Sequence, residues 1–207
     1  MILTISSQDT DLCDSIAVAL ANRRADAGRN VLLLCQKVLS KATSVRTKAS
    51  LKPGSASVSN SNWLATEMKA GAKPRDLADR QVANELASSF NQHRDIVIDM
   101  PSLEGMDALS LLAASGLVVY VIQVATWDRS RQDDLIDQIK AARQRKCSLP
   151  VLILIDEQST LAGQALTAAF KSHIPQLQFI TLSTMSEMSI TELYRIIYLE
   201  RTLMAMM

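Results

Sequence analysis

The chain has 207 residues, 48% apolar and 21% charged, with a formal net charge of +1. That length supports one full hydrophobic core, and the near-neutral balance removes any global pull towards nucleic acid or membrane. No apolar run reaches bilayer-spanning length, and no basic start with a small-residue cleavage site precedes the first strand, so a cytoplasmic protein without stable membrane insertion is expected.

The first 36 residues organise the rest. Met1–Ser6 is a short β-branched run, followed by a polar turn. Leu12, Ile16 and Leu20 then recur at helical spacing, Gly28 stops the helix, and Val31–Cys35 is a second apolar run. Strand, turn, helix and strand make a βαβ unit, whose turn is a natural seat for a phosphate. Residues 37–66 change character: Ser, Thr, Asn, Ala and Lys dominate, and no acidic residue occurs between Asp26 and Glu67. This segment is expected to be a polar, basic surface excursion, with Trp63 and Leu64 pinning its far end.

From Lys73 the spacing of Leu77, Val82, Leu86 and Phe90 predicts a helix with Pro74 at its start. Asp95–Asp99 (DIVID) is a buried strand flanked by carboxylates, and Asp107–Ser115 a short helix ending at Gly116. Leu117–Val124 is the most apolar stretch and predicts a central strand. Thr126–Trp127–Asp128 opens a long helix, Leu149–Ile155 is a strand, 158–172 a helix and Leu177–Leu182 a last strand. Glu187–Met207 reads as an amphipathic helix. The alternation predicts one α/β domain over 1–207, doubly wound, with a mostly parallel β-sheet and helices on both faces.

Three stretches together resemble the ParA/MinD family of deviant Walker-type (P-loop NTPase, SIMIBI) ATPases. They are the opening βαβ unit, DIVIDMPS at Asp95–Ser102, and ALSLLAASGLVVYVIQVATWD at Ala108–Asp128. The resemblance implies a Walker B-like role for Asp99 and a function in plasmid or DNA partition, conjugation, or the positioning of a cellular machine. The departures are as informative. The family's K-G-G-x-G-K-[ST] loop falls on Gln8-Asp9-Thr10-Asp11-Leu12-Cys13-Asp14, without its glycines, its lysines or its hydroxyl. The catalytic aspartate after the second strand is replaced by Cys35–Gln36–Lys37. A degenerate nucleotide loop at Gln8, Asp9, Asp11, Cys13 and Asp14 is therefore expected to repel a triphosphate, leaving a pseudo-ATPase with no catalytic residues and no cofactor.

Asp9, Asp11 and Asp14 read as helix-capping acids, with Asp11 as N-cap, in preference to a metal site. Cys13 and Cys35 read as small buried hydrophobes, and the three cysteines as reduced thiols. Asp99 reads as a strand-end carboxylate held by backbone amides. His93 and His173 are isolated and build no catalytic constellation. Trp127 is either a partner-facing anchor or a cover for the sheet end, and Met204 and Met207 suit docking on the domain or a second subunit. Lys140, Arg143, Arg145 and Lys146 are a candidate DNA surface, weighed against a helix C-terminus complementing its dipole. The expected partners are a second copy of the chain or a ParA-like protein, with nucleic acid a weaker option. Two alternatives remain: a divergent nucleotide- or metal-dependent hydrolase using Asp9, Asp11, Asp14 and Asp99, and a non-specific DNA-binding module.

Overall fold

The computed structural model describes residues 1–37, 62–69, 72–89, 92, 95–101, 106–127, 129–156, 160–174, 178–182 and 187–200. Most of the basic excursion, His93, Asp128, Met204 and Met207 lie outside these residues.

Among the described residues eight strands form one sheet: β1 (Ile2–Ser7), β2 (Val31–Lys37), β3 (Asn62–Glu67), β4 (Arg75–Ala78), β5 (Asp95–Asp99), β6 (Leu117–Gln123), β7 (Val151–Asp156) and β8 (Gln178–Leu182). Their order is β4-β3-β2-β5-β1-β6-β7-β8. The six strands from β2 to β8 in that order run parallel, while β3 pairs antiparallel with β2 and β4 antiparallel with β3. Central strands are buried on both faces: β1 and β5 are buried at every position, and β6 reads as a nearly continuous apolar run.

The helices are α1 (Thr10–Asp26), α2 (Asp79–Ser89), α3 (Met106–Ala114), α4 (Arg129–Arg145), α5 (Thr160–His173) and α6 (Glu187–Tyr194). Two apolar cores lie on opposite faces of the sheet. Cys13, Ile16, Ala17 and Leu20 of α1 pack with Leu193 of α6 against Leu3, Ile5, Leu33 and Val97. On the other face α2 to α5 bury Val82, Leu112, Leu135, Ile139 and Phe170 against Ile96, Ile98, Tyr120 and Ile153. The molecule is a doubly wound α/β domain over the described residues.

The close fit between strands and helices rests on particular residues. Gly28 ends α1 with φ +77°, a conformation that needs no Cβ. At the entry to β6, a Cβ on Gly116 would meet the Ile2 carbonyl oxygen at 3.2 Å, so a larger residue would push β6 from β1. Beneath that turn Ser115 Oγ donates to the Leu111 carbonyl at 2.8 Å, which leaves Thr4 as donor in the buried 2.6 Å bond to Ser115 Oγ.

Three expectations need correction. The excursion ends earlier than Thr66, because Asn62–Glu67 is β3, paired residue for residue with β2 from Leu32↔Glu67 to Lys37↔Asn62. Residues 75–78 are the edge strand β4, and the helix predicted from Lys73 starts at Asp79. The C-terminal helix is α-helical only to Tyr194, and Arg195–Glu200 is π-helical.

Candidate functional site

The carboxyl edges of β1 and β6 lie side by side, but their following helices, α1 and α4, cover opposite faces. A crevice opens where adjacent connections leave in opposite directions, and such crevices hold the ligands of doubly wound sheets. Here it is a cleft of about 600 Å³ lined by Gln8, Asp9, Pro101, Gln123, Trp127 and Arg131, among others.

Asp9 closes the α1 side of this cleft and is the true N-cap; Asp11, expected in that role, sits exposed in the first turn. Asp9 has extended backbone (φ −91°, ψ 107°), and its Oδ1 accepts from the Leu12 amide at 3.0 Å. Its own amide donates to Ser7 Oγ at 3.1 Å, and its Oδ2 accepts from Gln123 Nε2 at 3.1 Å. One carboxylate thus satisfies an amide at the head of α1 and ties the loop to the end of β6. A cap of this kind contributes about 1 kcal/mol.

Across the sheet, on the α1 face, β2 and β5 end together. Register sets Cys35 opposite Asp99, with Ile5 on the other side of Asp99. Asp14, exposed on α1, reaches over them, its Oδ1 3.9 Å from Cys35 Sγ. Cys13, fully buried, donates its thiol to the Ile5 carbonyl at 3.5 Å.

Asp99 is 2% exposed, and its Oδ1 is buried without a hydrogen-bond partner among the described residues. The expectation of a carboxylate held by backbone amides is therefore not met. Burial pushes the Asp99 carboxyl up to about 6, the thiols of Cys13 and Cys35 oppose the rise, and the Asp14 charge adds to it. Burial, then the charges of Asp99 and Asp14, push the Cys35 thiol up to about 12. Cys13 is raised as well, first by burial and then by Asp99. Cys13 fits the small-hydrophobe reading; Cys35, half-buried and facing two carboxylates, does not.

The residues do not fit a nucleoside triphosphate. The Leu12 amide, which an anion at the head of α1 would need, is already taken by Asp9. Asp11 and Asp14 face solvent beside it and Asp99 lies below. Each like-charge contact at 4 Å costs about 4 kcal/mol at an effective dielectric of 20.

The other candidates are placed as follows. Trp127 covers the sheet end: its ring packs on Tyr120 (6.2 Å, near-perpendicular) and Phe170 (6.3 Å), with Nε1 buried and unpartnered among the described residues. The basic group sits at the far end of α4, away from the carboxyl edge. There Arg143 donates to the Leu149 carbonyl, Arg145 to Ser110 Oγ, and Lys146 to the Ser115 carbonyl. Lys140 is exposed. Of the four acids assigned to a hydrolase, only Asp14 and Asp99 come together, joined by Cys35; Asp9 is committed to α1 and Gln123. Among the described residues no helix is long and apolar enough to cross a membrane. No known protein family and no curated protein matches the chain.

Proposed function

We propose that the chain is a ParA/MinD-like pseudo-ATPase that works by binding a partner and not by turnover. One observation carries this reading: Asp9 occupies the head of α1 in place of a phosphate, bonded to the Leu12 amide and to Gln123. The doubly wound sheet with its crevice between β1 and β6 supports the family resemblance. Without a nucleotide there is no ligand to bias assembly, so the oligomeric state is constant, whether monomer, homodimer or complex with a ParA-like partner. Such a component serves partition, conjugation or the placement of a cellular machine. DNA contact is the weaker reading, because three of the four candidate cations are bonded within the domain.

The test is equilibrium binding of labelled ATP with Mg²⁺, alongside light scattering with and without the nucleotide. No saturable binding and an unchanged mass are expected. Micromolar affinity, or a nucleotide-dependent mass, overturns the proposal.

A further inference from the structure

The group formed by Asp14, Cys35 and Asp99 has the composition and spacing of a metal site. Each residue offers one ligand atom, and these atoms lie within 4.8 Å of one another. Three separate elements supply them: α1, the end of β2 and the end of β5. The parallel register of β2 and β5 fixes two of the three, and both strand ends lie on the face covered by α1.

A second observation points to a ligand. Asp99 is 2% exposed, yet its Oδ1 meets no donor among the described residues. A buried carboxylate oxygen without a donor is costly, and native structures rarely keep one without a cation or an ordered water. The neighbouring acid, Asp14, adds charge of the same sign, which a divalent cation would turn from repulsion to attraction.

The donor set selects among cations. Magnesium and calcium take oxygen ligands, whereas a thiolate with two carboxylates suits zinc, at four-coordinate geometry with solvent in the fourth position. Bond lengths of 2.0–2.3 Å put tetrahedral ligand atoms about 3.3–3.8 Å apart. The 3.9 Å between Cys35 Sγ and Asp14 Oδ1 is close to that, and Asp14 is exposed and free to adjust its rotamer. The same exposure is the route by which an ion enters.

We propose that Asp14, Cys35 and Asp99 bind one zinc-class divalent cation, pinning the start of α1 to the carboxyl ends of β2 and β5. Binding deprotonates Cys35, so the ion releases a proton to solvent as the thiolate–metal bond forms. The site is made of protein ligands only and does not depend on the nucleotide reading.

Titration of chelator-treated full-length chain with Co²⁺, without nucleotide, tests it. One Co²⁺ per chain is expected, with a thiolate-to-cobalt charge-transfer absorption that equimolar Zn²⁺ removes and excess Mg²⁺ does not. Cys35→Ser should abolish the absorption, and Cys147→Ser, at an exposed thiol, should leave it intact. Asp14→Asn, an exposed change that leaves the fold undisturbed, should weaken Zn²⁺ binding by at least the 10–100-fold that loss of a ligand's supporting partner costs. Absence of the absorption, its survival in Cys35→Ser, its loss in Cys147→Ser, or an unchanged affinity in Asp14→Asn overturns the proposal.

Discussion

The two ends of β5 carry the same residue in opposite circumstances. Asp95 and Asp99 stand on one face of one strand, 1% and 2% exposed. At the amino end Asp95 meets Arg24 Nε at 2.7 Å, the Met1 amine at 3.0 Å and Arg29 Nε at 3.5 Å. Arg24 is itself stacked on the Tyr198 ring, 4.4 Å from its centroid. Burial alone would raise the Asp95 carboxyl, but the bonds from Arg24 and the Met1 amine outweigh it and hold it below the usual carboxylate range. At the carboxyl end Asp99 has two thiols and another acid for neighbours and is raised to about 6. One end of the strand is built for the fold. The other carries a cost that the fold does not explain, and such costs gather where a protein binds something.

The sharpest way to break the contrast is Asp95→Asn. Removing the charge weakens the charge-assisted bonds from Arg24 and the Met1 amine, each worth about 1.5–3 kcal/mol. Urea unfolding at neutral pH should show that loss. In the unaltered chain, the Asp95 contribution is complete above an unfolded pKa of about 3.9 and disappears as pH falls through the lower folded value.

The matching change at the other end should act with the opposite sign. In metal-free protein, Asp99→Asn should stabilise at neutral pH by on the order of 2–3 kcal/mol, from a rise of about two pKa units at 1.36 kcal/mol each. Asp99 binds its proton more tightly folded than unfolded, so the unaltered chain loses stability as pH climbs from about 3.9 to about 6. Unfolding curves at pH 4 and pH 7 would check this. Equal destabilisation by both substitutions would erase the contrast.

A smaller effect separates the acids of the nearby loop. Asp9→Ala removes the cap and the Gln123 bond and should cost about 1–2 kcal/mol, whereas Asp11→Ala, at an exposed position, should stay within about 0.5 kcal/mol. Thermal melts of the two variants would show whether the cap has been assigned to the right residue.

How much of this was legible in the sequence follows from what each residue reports locally. The central strands announced themselves because burial on both faces demands unbroken apolar runs such as LVVYVIQ. The edge strand β4 did not. β4 is RDLA, mostly exposed, and its charges at Arg75 and Asp76 with Pro74 in front look like a helix start. The N-cap falls two residues before Asp11 because Asp9 and Asp11 are both acceptable caps, and the loop conformation that presents Asp9 to the Leu12 amide and to Gln123 is set by the folded sheet edge. The sequence marks Asp14 and Asp99 as candidate acids, but Cys35 reads there as a small buried hydrophobe. Its position opposite Asp99 is a matter of strand register, which periodicity does not report.

The short β4 also bears on how copies of this molecule can meet. A strand at the rim of a sheet invites another chain to extend it, but this one is four residues long and lies beside the Lys37–Asp76 and Arg75–Glu85 ion pairs. Growth of the sheet into a neighbour across that rim is thereby discouraged, which leaves β8 as the other edge of the sheet among the described residues.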